Sequence, residues 1–74
     1  MRVTVRLYAS LREGHKGEEE LEIPPGSTIA SVIEILGVPD TAVTLSFING
    51  RHASHETVLR QGDVVGLFPP IGGG

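Results

Sequence analysis

The sequence predicts an α+β fold, with one amphipathic helix packed on one face of a mixed β-sheet. Three observations predict it. Val3, Val5 and Leu7 alternate with Thr4, Arg6 and Tyr8, the period-two pattern of a half-buried strand. Ile29, Val32, Ile33 and Leu36 recur at i, i+3, i+4 and i+7, which is one apolar helix face. Short apolar runs on either side of that helix, each bounded by turn signals, supply the remaining strands.

After the first strand, Ala9 to Glu13 has room for one helical turn, and Gly14-His15-Lys16-Gly17 reads as a loop. A second strand points Leu21 and Ile23 inward and Glu20 and Glu22 outward, forming a hairpin with the first. Pro24-Pro25-Gly26 stops it, because proline cannot donate to a ladder and glycine permits a positive φ. Ser27 or Thr28 then caps the helix, its hydroxyl accepting from the free N–H groups of the first turn. Gly37 suits the left-handed residue that closes a helix, and Pro39 prevents continuation.

Val43 to Ile48 reads as a third strand with ambiguous facing, since Val43, Leu45 and Phe47 form one set and Ile48 breaks the alternation. Asn49-Gly50 is a two-residue hairpin turn, followed by a short return strand from Arg51 to Ala53. Ser54 to Leu59 makes a turn or a short 3-10 segment, and Gln61-Gly62-Asp63 turns the chain again. In the last strand, Val64 to Phe68, Val65 and Leu67 point inward and Val64, Gly66 and Phe68 outward. The expected core is Val3, Val5, Leu7, Leu21, Ile23, Ile29, Val32, Ile33, Leu36, Leu45, Leu59, Val65 and Leu67.

With 74 residues, the chain is one domain at most. A domain of this size buries only about 60% of its unfolded surface, which leaves little room for an enclosed catalytic cleft. No cysteine is present, so disulfides, thiolate nucleophiles and cysteine metal sites are excluded. The net charge is -3, and the six basic residues are scattered, unlike the concentrated patch of a nucleic-acid binder. Neither a signal peptide nor a membrane span is legible, so a cytoplasmic setting without nucleic-acid or membrane partners is expected.

The weaker chemical patterns fail on inspection. His52 and His55 stand three apart beside Glu56, but the segment is too short for a metal-binding helix, so no metal is expected. Gly14-His15-Lys16-Gly17 lacks the Gly-Lys-Ser/Thr half of a phosphate loop. Ser54, His55 and Glu56 are adjacent, whereas triad members converge from separate elements.

The run Leu67-Phe68-Pro69-Pro70-Ile71-Gly72-Gly73-Gly74 is different. Bare glycines thread narrow channels, and two prolines stiffen the exit from the last strand. Ile71 offers one apolar anchor. A carboxylate on such an arm can be activated as an acyl adenylate and then attacked by sulfur, splitting one hard step into two. An inert tail is the competing reading of the same residues.

Ile48-Asn49-Gly50-Arg51, then Leu59-Arg60-Gln61-Gly62-Asp63-Val64-Val65, then the Phe-Pro-Pro and glycine end, resembles the MoaD/ThiS sulfur carriers along the whole chain. The resemblance implies a ubiquitin-like β-grasp domain over residues 1–68 and a flexible C-terminal tail over 69–74. It implies that Gly74 carries the reactive carboxylate, converted by adenylation into a thiocarboxylate. Gly73, Gly72, Ile71, Pro70 and Pro69 would form the delivered arm, and Phe68 part of the docking surface. The implied partners are a MoeB/ThiF-like adenylating enzyme that uses ATP, a sulfurtransferase, and an acceptor such as the molybdopterin synthase large subunit. The protein would be a carrier and not an enzyme, would bind no cofactor itself, and would be a monomer when alone. Phe68-Pro69-Pro70 points to molybdopterin. Thiamine, tRNA thiolation, tungsten cofactor, or conjugation to lysines as a modifier are the other outcomes implied.

Overall fold

The computed structural model of the chain describes residues 1–70. Five strands form one mixed sheet: β1 (Arg2–Leu7), β2 (Glu18–Glu22), β3 (Leu45–Ile48), β4 (Arg51–His52) and β5 (Val64–Phe68). Their spatial order is β2-β1-β5-β3-β4. β1 pairs with β2 antiparallel and with β5 parallel, and β3 pairs antiparallel with both β5 and β4. One helix, α1 (Ile29–Leu36), and two 3-10 turns, Ala9–Arg12 and Asp40–Ala42, are the other elements among the described residues. This ubiquitin-like β-grasp arrangement agrees with the predicted α+β class.

The helix forms where its caps are. Thr28 Oγ1 accepts from the Ser31 N–H at 3.2 Å, and the Thr28 N–H donates to Ser31 Oγ at 3.1 Å. That reciprocal capping box satisfies two groups the helix would leave bare. Gly37 closes the other end at φ 74°, in the left-handed region open to glycine. Of the two hydroxyls predicted as caps, Thr28 has the role, while Ser27 donates to the Pro24 carbonyl at 2.7 Å. Two further N–H groups at the helix start, on Ile29 and Ala30, donate to the carbonyls of Thr57 and His55 at 3.2 and 2.9 Å. Ser54 to Leu59, predicted as a turn or a short 3-10 segment, therefore also braces the helix start.

One apolar layer joins helix and sheet. Val3, Val5, Leu7, Val65 and Leu67 from the sheet meet Ile29, Val32 and Ile33 from the helix, with Leu11, Ile23, Val38, Val43 and Leu59 at the margins. Burying a side chain of this kind stabilises the fold by roughly 1.5–3 kcal/mol. Three predicted core residues sit elsewhere. Leu21 and Leu36 are only half-buried against the core, because they lie at its rim. Leu45 is on the other face altogether. The β3–β5 register opposes Leu45 to Phe68 and Ser46 to Leu67, so Ser46 and Ile48 take the inner face. Ser46 tolerates full burial because its hydroxyl donates to the Ala53 carbonyl at 2.7 Å.

Candidate functional site

The face of the sheet opposite the helix is laid out by the register. Glu18, Glu20 and Glu22 of β2 stand opposite Arg6, Thr4 and Arg2 of β1. Next come Val64, Gly66 and Phe68 of β5, then Leu45 and Phe47 of β3, then His52 of β4. The face therefore runs from a charged side to an aromatic side.

The charged side is self-satisfied. Arg2 Nε donates to Glu22 Oε1 at 2.9 Å, and Arg6 Nε to Glu18 Oε1 at 2.7 Å. Hydrogen bonding to Glu18 holds the Arg6 guanidinium above its usual range.

The aromatic side is a cluster with a glycine floor. Tyr8 and Phe68 stack with ring centroids 4.3 Å apart and planes 1° from parallel. Phe47 meets Phe68 edge-on at 5.5 Å, and His52 meets Phe47 edge-on at 5.7 Å. Gly66 is buried beneath them; a Cβ built there would lie 3.4 Å from Tyr8 Cε2 and 3.9 Å from Phe47 Cβ. A groove of about 250 Å³ runs across this cluster, bordered also by Arg6, Gly50 and Val64. The outward assignment of Val64, Gly66 and Phe68 agrees with this arrangement. Tyr8 and Phe47 were not among the predicted site residues. The signal for Tyr8 was present, since it shares the outward phase of Thr4 and Arg6.

The base of the tail is clamped beside the same cluster. The Tyr8 N–H donates to the Leu67 carbonyl at 3.2 Å, and the Thr44 N–H to the Phe68 carbonyl at 2.9 Å. Pro69 is buried and Pro70 is exposed. Ile71, Gly72, Gly73 and Gly74, all predicted site residues, lie outside the described residues. The two histidines weighed as ligands have separate partners: His52 packs on Phe47, and His55 Nδ1 lies 3.2 Å from Asp40 Oδ1.

The Asn-Gly and Gly-Asp motifs are one structural staple. Asn49 Nδ2 donates to Asp63 Oδ1 at 3.1 Å, and Asn49 Oδ1 accepts from the Val64 N–H at 2.9 Å. Asp63 Oδ2 accepts from the Arg60 N–H at 2.8 Å. Asn49 and Gly50 both take positive φ, 51° and 83°, as the tight hairpin requires. These motifs hold β3 and β5 in register and so set which side chains reach the aromatic face.

Among the described residues, no helix is long and apolar enough to cross a membrane. No curated protein matches the chain. Among solved structures, it is similar to a Pyrococcus furiosus protein described as molybdopterin converting factor, subunit 1, with 31% identity, TM-score 0.75, and coverage of 96% of this chain and 99% of the other. SAMP1 from Haloferax volcanii shares the fold at 20% identity and TM-score 0.79 over 100% of both chains. So does a chain in the complex of subunits 1 and 2 of molybdopterin-converting factor from Helicobacter pylori, at 22% identity and TM-score 0.68 over 100% of both. The family model described as ThiS matches residues 5–74. The chain belongs to the ThiS family of ubiquitin-like sulfur carriers and modifiers.

Proposed function

We propose that this protein is a sulfur carrier whose Gly74 carboxylate is adenylated and converted to a thiocarboxylate. One observation carries the reading: the aromatic groove of Tyr8, Phe47 and Phe68 adjoins the clamped base of a glycine-ending tail. A partner that covers the groove is thereby placed beside the strand end from which that tail departs. Apolar and aromatic groups in a shallow groove are the anchors that binding interfaces favour.

The partner is a MoeB/ThiF-like adenylating enzyme. It joins the Gly74 carboxylate to the AMP part of ATP and releases pyrophosphate. The terminal sulfur of a persulfide on a sulfurtransferase then attacks the acyl carbon and displaces AMP, and a thiol reduces the resulting acyl disulfide, which releases the Gly74 thiocarboxylate and leaves the thiol in a disulfide with the sulfurtransferase. Glycines at 72, 73 and 74 let the arm enter a narrow channel, and the clamped strand end with Pro69 and Pro70 directs it. The carrier supplies the reacting group and its presentation, binds no cofactor of its own, and works in the cytoplasm. The acceptor is the large subunit of a molybdopterin synthase. Phe68-Pro69-Pro70 and the 31% identity to the Pyrococcus furiosus protein support that branch.

Intact mass spectrometry of the protein from its native cells tests the reading. A species with one oxygen of Gly74 replaced by sulfur, trapped by a thiol alkylator, is expected. Isopeptide links from Gly74 to lysines of other proteins would instead establish a modifier.

A further inference from the structure

A second groove, of about 620 Å³, lies around the corner of the Asn49–Gly50 turn from the aromatic one. The two flank that turn. Gly50 borders the first, Asn49 and Arg51 border the second, and His52 lines the second while packing on Phe47 of the first. The floor of the second groove is apolar, with Ile48, Ala53 and Val58; Val58 is 57% exposed. Its rim carries the guanidinium groups of Arg51 and Arg60.

These arginines differ from those on β1. Arg2 and Arg6 are held by glutamates, whereas neither Arg51 nor Arg60 has a carboxylate within 4.0 Å among the described residues. The one carboxylate in the groove, Asp63, accepts from the Asn49 side chain and the Arg60 N–H instead. An acidic chain of net charge -3 thus carries a local cationic rim over an exposed aliphatic floor.

We infer that this groove receives an acidic, partly aliphatic segment of the adenylating enzyme that docks on the aromatic face. The inference rests on the carrier reading. Guanidinium groups are the natural partners of carboxylates, which they can meet through two parallel hydrogen bonds. Val58 and Ile48 suit an aliphatic side chain between those carboxylates. Nucleic acid fits poorly. The floor offers aliphatic groups in place of the aromatic ones on which bases stack. An interface of ordinary size covers about 800 Å² per partner, enough to span adjoining grooves.

The test is ATP–pyrophosphate exchange by the adenylating enzyme of the same organism, with the full chain as substrate over a range of salt concentrations. The Arg51→Gln/Arg60→Gln pair is expected to raise KM about tenfold at low salt with kcat unchanged, and to flatten the salt dependence. Arg51→Lys/Arg60→Lys should restore most of the affinity. Phe68→Ala should raise KM while keeping the salt slope. An active wild type with an unchanged glutamine pair would overturn this inference and leave the carrier reading standing. A wild type that supports no exchange would overturn both. Loss of binding to bulk tRNA, or of self-association in sedimentation, with exchange unaltered would assign the groove to RNA or to a second copy and overturn it.

Discussion

Tyr8 and Phe68 stack face to face at 4.3 Å, one from just beyond β1 and the other from the end of β5. The pair couples the first strand of the chain to the last, at the point where the tail departs. It is one side of the groove that the adenylating enzyme is proposed to cover. Phe68→Ala should lower stability by about 1–2 kcal/mol, since it removes two aromatic contacts from a half-buried position. The fold should persist, and adenylation should fall tenfold or more. Thermal unfolding and the exchange assay together check this; unfolding of the variant would show that Phe68 belongs to the core.

Gly66 predicts a size threshold beneath the same rings. Gly66→Ala adds a Cβ at ordinary contact distance from Tyr8 and Phe47, so stability should change by less than about 1 kcal/mol. Gly66→Leu has no such space and should displace the Tyr8 ring. Tyrosine fluorescence and partner affinity should change for leucine and not for alanine.

Removal of Gly73 and Gly74 separates folding from chemistry. The described sheet ends at Phe68 and the described core at Leu67. The thermal midpoint should be unchanged and adenylation abolished. Measurable adenylation of the truncated chain would mean that the reactive group is elsewhere.

The helix cap gives a coupled pair. Thr28→Ala and Ser31→Ala should each cost about 1 kcal/mol, and the double variant less than the sum, because each hydroxyl serves the other's N–H. Denaturant unfolding of the four proteins measures the coupling.

Ser46→Ala tests the inward hydroxyl of β3. It leaves the Ala53 carbonyl without its 2.7 Å donor and should cost about 1–2 kcal/mol. Faster amide exchange at Ala53, whose N–H donates to the Ser46 carbonyl, should accompany the loss.

Local rules made the helix legible. The spacing of Ile29, Val32, Ile33 and Leu36, a hydroxyl before it and a glycine after it are interactions within a few residues. The same holds for the Asn49-Gly50 turn and for the alternation in β1 and β5. The outward phase of Phe68 followed from that alternation alone. The tail composition, with Phe68-Pro69-Pro70 and the final glycines, is likewise present in the sequence and needs no structure to be read.

Facing in β3 was not legible, because hydrophobicity and register disagree there. Leu45 and Phe47 are the more apolar set, yet pairing with β5 sends Ser46 and Ile48 inward. The energetic reason is non-local: Phe47 finds Phe68 on the outer face, and Ser46 finds the Ala53 carbonyl on the inner one. The aromatic groove depends on the parallel β1–β5 pairing, which brings together Tyr8 and Phe68 from near opposite ends of the described chain. The helix brace from His55 and Thr57, and the Asn49–Asp63 staple, are long-range in the same sense. The sequence by itself therefore determined the elements and the ends of the helix to within a residue, through contacts between near neighbours. Only the tertiary structure decided which face β3 presents and that Tyr8, Phe47 and Phe68 form one surface, because period-two strands carry no information about register until a partner strand is in place.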